Sequence, residues 1–200
     1  MVSFEFTGGH LCLDFANTTD DRAGDHPQEQ LTDYARLVQW GVESGVLTGK
    51  TGERLRRLAS AAPADALATL REGLRLRETT FEIFSNVALG RSIPGPALAS
   101  LSEFVRRAAA HAHLVRSHRR VTSEWIDPEL HLDAMLWPVS RAAAELLTGE
   151  GVDHVRQCAS ETCSWLFLDR SKNHRRRWCD MKVCGNRDKA RRYYRRQQAG

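Results

Sequence analysis

"CASETCSWLFLDRSKNHRRRWCDMKVCGNRDKARRYYRR", residues 158–196, contains four of the chain's five cysteines and more than a third of its arginines. The cysteines form two pairs, Cys158-x4-Cys163 and Cys179-x4-Cys184, separated by 15 residues. Each pair needs only a tight turn to direct both sulfurs to one point, so four thiolates can converge on a single tetrahedral Zn²⁺. The spacing predicts one zinc ion. Because protein would occupy every position around it, the ion is expected to be structural and not catalytic.

Two histidines near these pairs, His154 and His174, are alternative ligands by residue type. Exposed positions, or positions that face nucleic acid, are the favoured prediction for both. Three aromatic residues are expected to form a small core around the metal, and Asp169 is expected to orient the loop by hydrogen bonds. These aromatic residues are Trp165, Phe167 and Trp178.

Charge divides the chain into two parts. Residues 151–200 carry 13 Lys and Arg against five Asp and Glu, a net of +8, whereas residues 1–150 carry 16 against 20, a net of −4. This asymmetry predicts a domain at 1–150 and a polyanion-binding module at 151–200. The boundary is expected near Gly149 and Gly151, where a helical pattern ends.

A strand-like "WLFLD" follows the first cysteine pair, a basic turn comes next, Trp178 and Cys179 return, and residues 185–198 suit a terminal helix. On that helix like charges recur every four residues, which favours a bound anion because the rows repel one another. The predicted contacts with double-stranded DNA are Arg175, Arg176, Arg177, Asn186, Arg187, Lys189, Arg191, Arg192, Arg195 and Arg196.

Several of these residues have alternative roles. A solvated charged face alone explains many basic helices. Asn186 could instead cap the helix or brace the zinc loop. Tyr193 and Tyr194 could stack on a base or contact phosphate, or one of them could pack against the zinc core.

The body is predicted to be α+β, mainly helical with a small antiparallel sheet. Helices are expected within 31–45, with Gly45 at the C-terminal end, over 51–61, 64–89 and 96–111, and from Asp127 as N-cap through Leu147. Pro138 should kink or interrupt the last one. Strands are expected at 3–7 and 10–16, with a hairpin that turns at 117–119.

The function of the body is less evident from its residues. Asp14, Asn17 and Thr18 follow an apolar segment and are candidates for a small-molecule site, although bonds within their own turn are the favoured interpretation. Cys12 is expected to be an inert buried thiol. No serine, cysteine or carboxylate constellation suggests catalysis, so the chain is not expected to be an enzyme. Possible roles are an effector sensor or a homodimerisation domain.

No apolar run approaches the roughly 18 residues of a membrane helix, and the N-terminus lacks a basic start before an apolar segment. A cytoplasmic protein with no membrane partner is therefore expected. Its reducing surroundings favour metal binding over disulfides.

Residues 163–196 closely resemble the CGNR zinc finger, whose tetrad is here Cys184-Gly185-Asn186-Arg187. "LCLDFANT", residues 11–18, and the "LTDYARLVQWGVESGVL" that follows are similar to the ABATE domain, which precedes this finger in bacterial proteins described as stress-induced transcription regulators. The resemblance implies a treble-clef-like zinc module with a knuckle, a hairpin and a helix, and a role in DNA binding.

The sequence therefore predicts a DNA-binding transcription regulator. Two alternatives remain open. The zinc module could bind RNA or an acidic protein, or the body could be an enzyme with the basic module as a localising element.

Overall fold

A computed structural model describes residues 3–198, except for the side chains of residues 117, 192, 196 and 198. Its helices are α1 (Leu11–Ala16), α2 (Tyr34–Glu43), α3 (Gly49–Ala61), α4 (Pro63–Ala88), α5 (Gly95–Ala109), α6 (Leu136–Thr148) and α7 (Asn186–Gln198). Its strands form three antiparallel pairs: β1 (Thr19–Asp20) with β2 (Gln28–Glu29), β3 (Ala112–Ser117) with β4 (Arg120–Trp125), and β5 (Val155–Gln157) with β6 (Leu166–Leu168). The predicted α+β class is confirmed.

The helices expected at 51–61, 64–89 and 96–111 are α3, α4 and α5. Helix α2 begins at the side-chain cap of Asp33 and ends before Gly45, whose φ of +79° is a conformation that glycine adopts readily. The hairpin predicted to turn at 117–119 is β3–β4. These segments have clear apolar periodicity or clear ends, which is why the sequence located them.

The strand predicted at 10–16 is wrong, because this segment is helix α1. All of its residues after Leu11 are buried, among them Cys12, Leu13 and Phe15 with no exposed surface. A short apolar run that is buried on every side shows no helical period, so its sequence does not distinguish a helix from a strand. Cys12 is an inert buried thiol as expected, and burial raises its pKa far above the ordinary range.

Two other expectations about the body are also wrong. Residues 3–7 belong to none of the strands in the described part of the chain, and the backbone N–H of Phe4 donates instead to the Glu43 carboxylate. Asp127 has a left-handed backbone and makes no capping bond, so only a short 3₁₀ turn follows it, and α6 starts at Leu136. Pro138 therefore lies in the first turn of α6, where a missing N–H costs no helical bond.

Helix α1 lies at the centre of the core, against α4, α6 and β6. Strand β6 alternates between two clusters. Leu166 and Leu168 pack into the core of the body, whereas Trp165 and Phe167 pack among the cysteines. One short strand thus belongs to both parts of the protein.

The partner of β6 differs from the expectation. It pairs with β5, which precedes the cysteines, and not with the segment at Trp178 and Cys179. The segment at 177–179 makes one backbone hydrogen bond with the β5–β6 hairpin, in which the N–H of Ala159 donates to the carbonyl of Arg177 at 2.8 Å. The hairpin therefore encloses the first cysteine pair.

Asn17 joins α1 to this hairpin. Its Nδ2 donates to the carbonyl of Leu166 at 2.8 Å, and its Oδ1 accepts from the N–H of the same residue, also at 2.8 Å. The amide is 2% exposed, so water cannot replace it. Both backbone groups of Leu166 depend on one side chain.

We expect Asn17→Ala to lower the free energy of unfolding by about 2–4 kcal/mol, because a buried N–H and a buried carbonyl lose their partner together. Urea denaturation followed by circular dichroism measures this. Asn86→Ala is the matched control, since the Asn86 amide bonds only the carbonyl of Glu82 in its own helix. Equal losses in the two variants would contradict the role given to Asn17.

Candidate metal centre

The four cysteines come from three segments. Cys158 and Cys163 both lie in the β5–β6 hairpin, directly after β5 and in the turn before β6. Cys179 ends the basic loop, and Cys184 lies in a wide helical turn, Met181–Gly185, that leads into α7. Asp180 begins this turn, and its carboxylate accepts from the N–H groups of Lys182 and Val183. An aspartate at that place is a capping signal that the sequence analysis missed.

The cysteine sulfurs are arranged as a zinc site requires. All four lie within 4.8 Å of one another and are buried. The Sγ atoms of Cys163 and Cys179 are 3.6 Å apart, as are those of Cys179 and Cys184. A tetrahedron with Zn–S bonds of about 2.3 Å has edges of about 3.8 Å, so these distances fit the ion. The predicted cofactor, one Zn²⁺ held by four cysteines, is confirmed by this arrangement of the sulfurs.

The chemistry of the thiols also suits a metal. Hydrogen bonds from Cys163 and Cys179 lower the pKa of Cys158, whereas their bonds with Cys158 raise the pKa values of Cys163 and Cys179, and burial raises that of Cys184. Four thiolates this close together therefore need a bound cation to ionise together. Zinc would supply four bonds that fix the three segments, with no open position for a substrate.

The candidate histidine ligands lie outside the cluster. His154 and His174 stack on each other with ring centroids 4.0 Å apart. Among the described residues, the four cysteines are the only group that could hold a metal ion. The Nδ1 of His174 lies 3.0 Å from the carbonyl oxygen of Asp169. Both rings are therefore part of the loop structure.

The predicted aromatic core is present, since Trp165, Phe167 and Trp178 pack on the cysteines. Asp169 orients the basic loop as expected. Its carboxylate accepts from the N–H groups of Ser171 and Arg176, at 2.9 Å each. This bonding holds the pKa of Asp169 below its usual value although burial acts against it.

Arg176, a predicted DNA contact, is bound within the module. Its guanidinium lies 4.5 Å from the centroid of the Phe167 ring and donates to the carbonyls of Trp178 and Cys179. Asn186 likewise donates to the carbonyl of Lys182 at 2.8 Å, which is the bracing role that the sequence left open. Both residues shape the turns around the cysteines.

The arginine row of α7 faces acidic side chains of the protein. Arg187 pairs with Asp21 of the body at 3.1 Å and donates to Thr162 at 3.2 Å. Arg191 and Arg195 both pair with Glu161, at 3.4 and 2.5 Å. No sequence pattern indicates these partners, because they are distant in the chain or lie in another turn.

The other predicted contacts differ in exposure. Arg175, Arg177 and Lys189 are exposed. The side chains of Arg192 and Arg196 lie outside the described residues, so their predicted role is not tested. Tyr193 and Tyr194 are 60% and 63% exposed, which contradicts the option that one of them packs on the zinc core.

The three candidate effector residues have partners inside the protein. Asp14 accepts from the N–H of Gly8 at 2.7 Å, Thr18 donates to the carbonyl of Phe15 at 2.8 Å, and Asn17 binds Leu166 as described. Burial raises the pKa of Asp14 to about 6. The favoured interpretation, bonds within the local structure, describes Asp14 and Thr18, and the ligand role stays a prediction.

Four converging cysteines between a strand pair and a basic helix, docked on a helical body, define a zinc-finger protein with an added N-terminal domain. Family comparison identifies both parts: ABATE, described as "Putative stress-induced transcription regulator", matches residues 9–150, and the CGNR zinc finger matches residues 154–197. The chain therefore belongs to the ABATE family and carries a CGNR zinc finger. No curated protein matches it. No described helix combines the length and apolar composition needed to span a bilayer.

We expect the purified protein to carry one zinc per chain, and Cys163→Ser to abolish it and unfold residues 158–198. Because Leu166 belongs to the core of the body, thermal unfolding of the remaining helices should also shift to lower temperature. Elemental analysis and circular dichroism measure the two effects. Cys12→Ala is the control for zinc content alone, since it removes a cysteine outside the cluster. Full zinc content in Cys163→Ser would rule out the four-cysteine site.

The raised pKa of Asp14 predicts a pH-dependent stability. The folded-state pKa of about 6 exceeds the ordinary aspartate value of 3.8, so the folded state holds this proton more tightly and loses stability as pH rises from about 4 through 6. Asp14→Asn keeps an acceptor for Gly8 and cannot ionise. Relative to the parent, the variant should gain about 2 kcal/mol between pH 4 and pH 7, measured by urea denaturation. A constant difference across this range would refute the shift.

Proposed function

We propose that the chain is a transcription regulator whose zinc module binds double-stranded DNA. The observation that carries this is the loop between the two cysteine pairs. Besides Arg176, which is bonded within the loop, it holds four exposed cations, and no acidic residue occurs between Asp169 and Asp180. The cations are Arg170, Lys172, Arg175 and Arg177.

The loop is ordered before any partner binds. Asp169 bonds two of its N–H groups, the guanidinium of Arg176 bridges its end, and Ala159 bonds the carbonyl of Arg177. Its cations therefore project from a fixed backbone, and binding costs less conformational entropy than with a mobile loop. Clustered cations on an ordered surface suit a phosphate backbone.

Helix α7 contributes a second, smaller surface. Lys189 is exposed and forms no ion pair with any described residue, and the two exposed tyrosines can donate to phosphate. The pairing of Arg187, Arg191 and Arg195 with Asp21 and Glu161 makes this row a weaker candidate than the loop. Exposed ion pairs contribute about 0–1 kcal/mol each, so DNA could still compete for these arginines.

The effector role of the body is a separate part of this proposal. A cavity of about 170 Å³ lies between α4, α5 and α6, and polar side chains line it together with aromatic ones. The polar groups include Thr69, Glu72, Arg107 and Asp133. Glu72 pairs with Arg107 at 2.6 Å and Thr69 donates to the carbonyl of Asp65, so a ligand would compete with internal bonds here as it would at Asp14, Asn17 and Thr18. The cavity is a candidate for a small molecule with hydrogen-bonding groups because it offers space beside them. Homodimerisation remains the alternative role for the body.

Fluorescence anisotropy on a labelled duplex tests DNA binding. If the four loop cations meet phosphates, replacing all four with glutamine should make the slope of log affinity against log salt shallower by about three to four. The control replaces Lys50, Arg54, Arg57 and Arg71, which are exposed cations of α3 and α4 and change net charge equally. Arg191→Gln with Arg195→Gln should have a smaller effect than the loop change.

Three outcomes would contradict the proposal. The parent could fail to bind duplex, the loop and control variants could lose affinity equally, or the parent could prefer single-stranded RNA or an acidic peptide. Sequencing of genomic DNA crosslinked to the protein then separates a regulator, enriched at a few promoters, from a general polyanion binder.

A further inference from the structure

The hairpin β3–β4 contributes little to the core. Most of its residues are exposed on both faces, and Leu114 and Val121 are 76% and 66% exposed. A two-stranded ribbon with two solvated faces buries too little apolar surface to stabilise itself or the domain. Burial of apolar surface therefore does not explain why the chain forms this hairpin.

The tip of this ribbon is strongly basic. Arg116, Arg119 and Arg120 are exposed and form no ion pair with any described residue, and the ribbon has no acidic residue before Glu124. Arg116 lies opposite Val121 and Arg120 opposite Ser117, so alternation places these two arginines on different faces. Arg119 occupies the turn between them, so the cations surround the tip.

The turn itself is unusual for a two-residue connection. His118 has a φ of +51°, a region where glycine is favoured in hairpin turns. A side chain that is held there costs conformational energy. The tip thus carries an imidazole and three guanidinium groups where a small residue would close the turn more easily.

The base of the ribbon is firmly attached to the body. Trp125 lies 5.8 Å from Trp137 in ring centroids, and the Trp137 ring stacks on His111 at 4.0 Å. The guanidinium of Arg141 lies over the Trp125 ring and donates to Ser123. These contacts connect the base of the ribbon to the body and leave its tip exposed.

We propose that this hairpin is a second DNA-binding element that inserts its basic tip into a groove of the duplex and contacts the flanking phosphates. The proposal rests on the function proposed above. A two-stranded ribbon fits the major groove, which is about 12 Å wide, and cations on both faces can reach the phosphates on either side. An acidic protein surface would meet only one of the two faces, so duplex DNA is the partner that uses all three arginines.

The test compares the full-length protein with its Arg116→Gln, Arg119→Gln and Arg120→Gln triple variant by anisotropy on duplex DNA. The variant should bind roughly ten-fold or more weakly near physiological salt, and its salt slope should be shallower by about two to three. The control replaces Arg54, Arg57 and Arg71 with glutamine, which removes the same charge from exposed body positions. All replaced residues are exposed, and unchanged circular dichroism and thermal unfolding confirm that each variant folds.

Hairpin and control variants of equal affinity would overturn this inference alone, provided that the loop variant still loses binding. A parent that does not bind duplex overturns the proposed function together with this inference. Light scattering tests the other possible partner of the ribbon, a second copy of the chain. If the triple variant keeps full affinity for duplex but loses a dimer that the parent forms, the hairpin binds a second copy of the chain instead.

Discussion

The pair of hydrogen bonds between the Asn17 amide and the backbone of Leu166 is the constraint on which the arrangement of the two domains depends. It spans 149 residues of sequence and is buried, so breaking it would leave two backbone groups without water or protein partners. Trp165 adds a bond from its indole N–H to the carbonyl of Thr19, at 2.8 Å. Strand β6 is therefore fixed to the end of α1, and its two faces belong to different clusters. This strand is therefore one route by which a change at the zinc site can reach the body, beside the contacts of Arg187 and Thr162 with Asp21.

This constraint explains the apolar segment that begins the body. Helix α1 has fewer than two turns, which is too short to be stable alone, and its stability comes from burial on every side. The same burial hides its helical character from the sequence, which is why residues 10–16 were predicted as a strand. Longer helices with one buried face, such as α2 and α5, were predicted because their apolar residues recur with the helical period. The sequence thus revealed the outer helices and missed the central one.

The metal centre was more predictable than its surroundings, for a related reason. Cysteine spacing is a local property, and two pairs of this kind determine the ligands almost without knowledge of the fold. The partners of the arginines are not local. The i, i+4 pattern of Arg187, Arg191 and Arg195 shows that they share a face, but it does not show that Asp21 and Glu161 lie against that face. Only the folded structure reveals which cations are paired.

Which cations already have partners inside the protein therefore matters more for binding a polyanion than how many basic residues there are. The net charge of +8 in residues 151–200 describes the whole module, yet the structure divides its cations into those bound within the protein and those exposed on the loop. Arg176, which braces the loop from within, stands between two exposed arginines. The buried sulfurs fix the loop ends and Asp169 fixes its backbone, so the exposed cations keep their spacing without a partner. In the proposed function zinc would act on DNA binding indirectly, because it holds the backbone from which the exposed loop charges project.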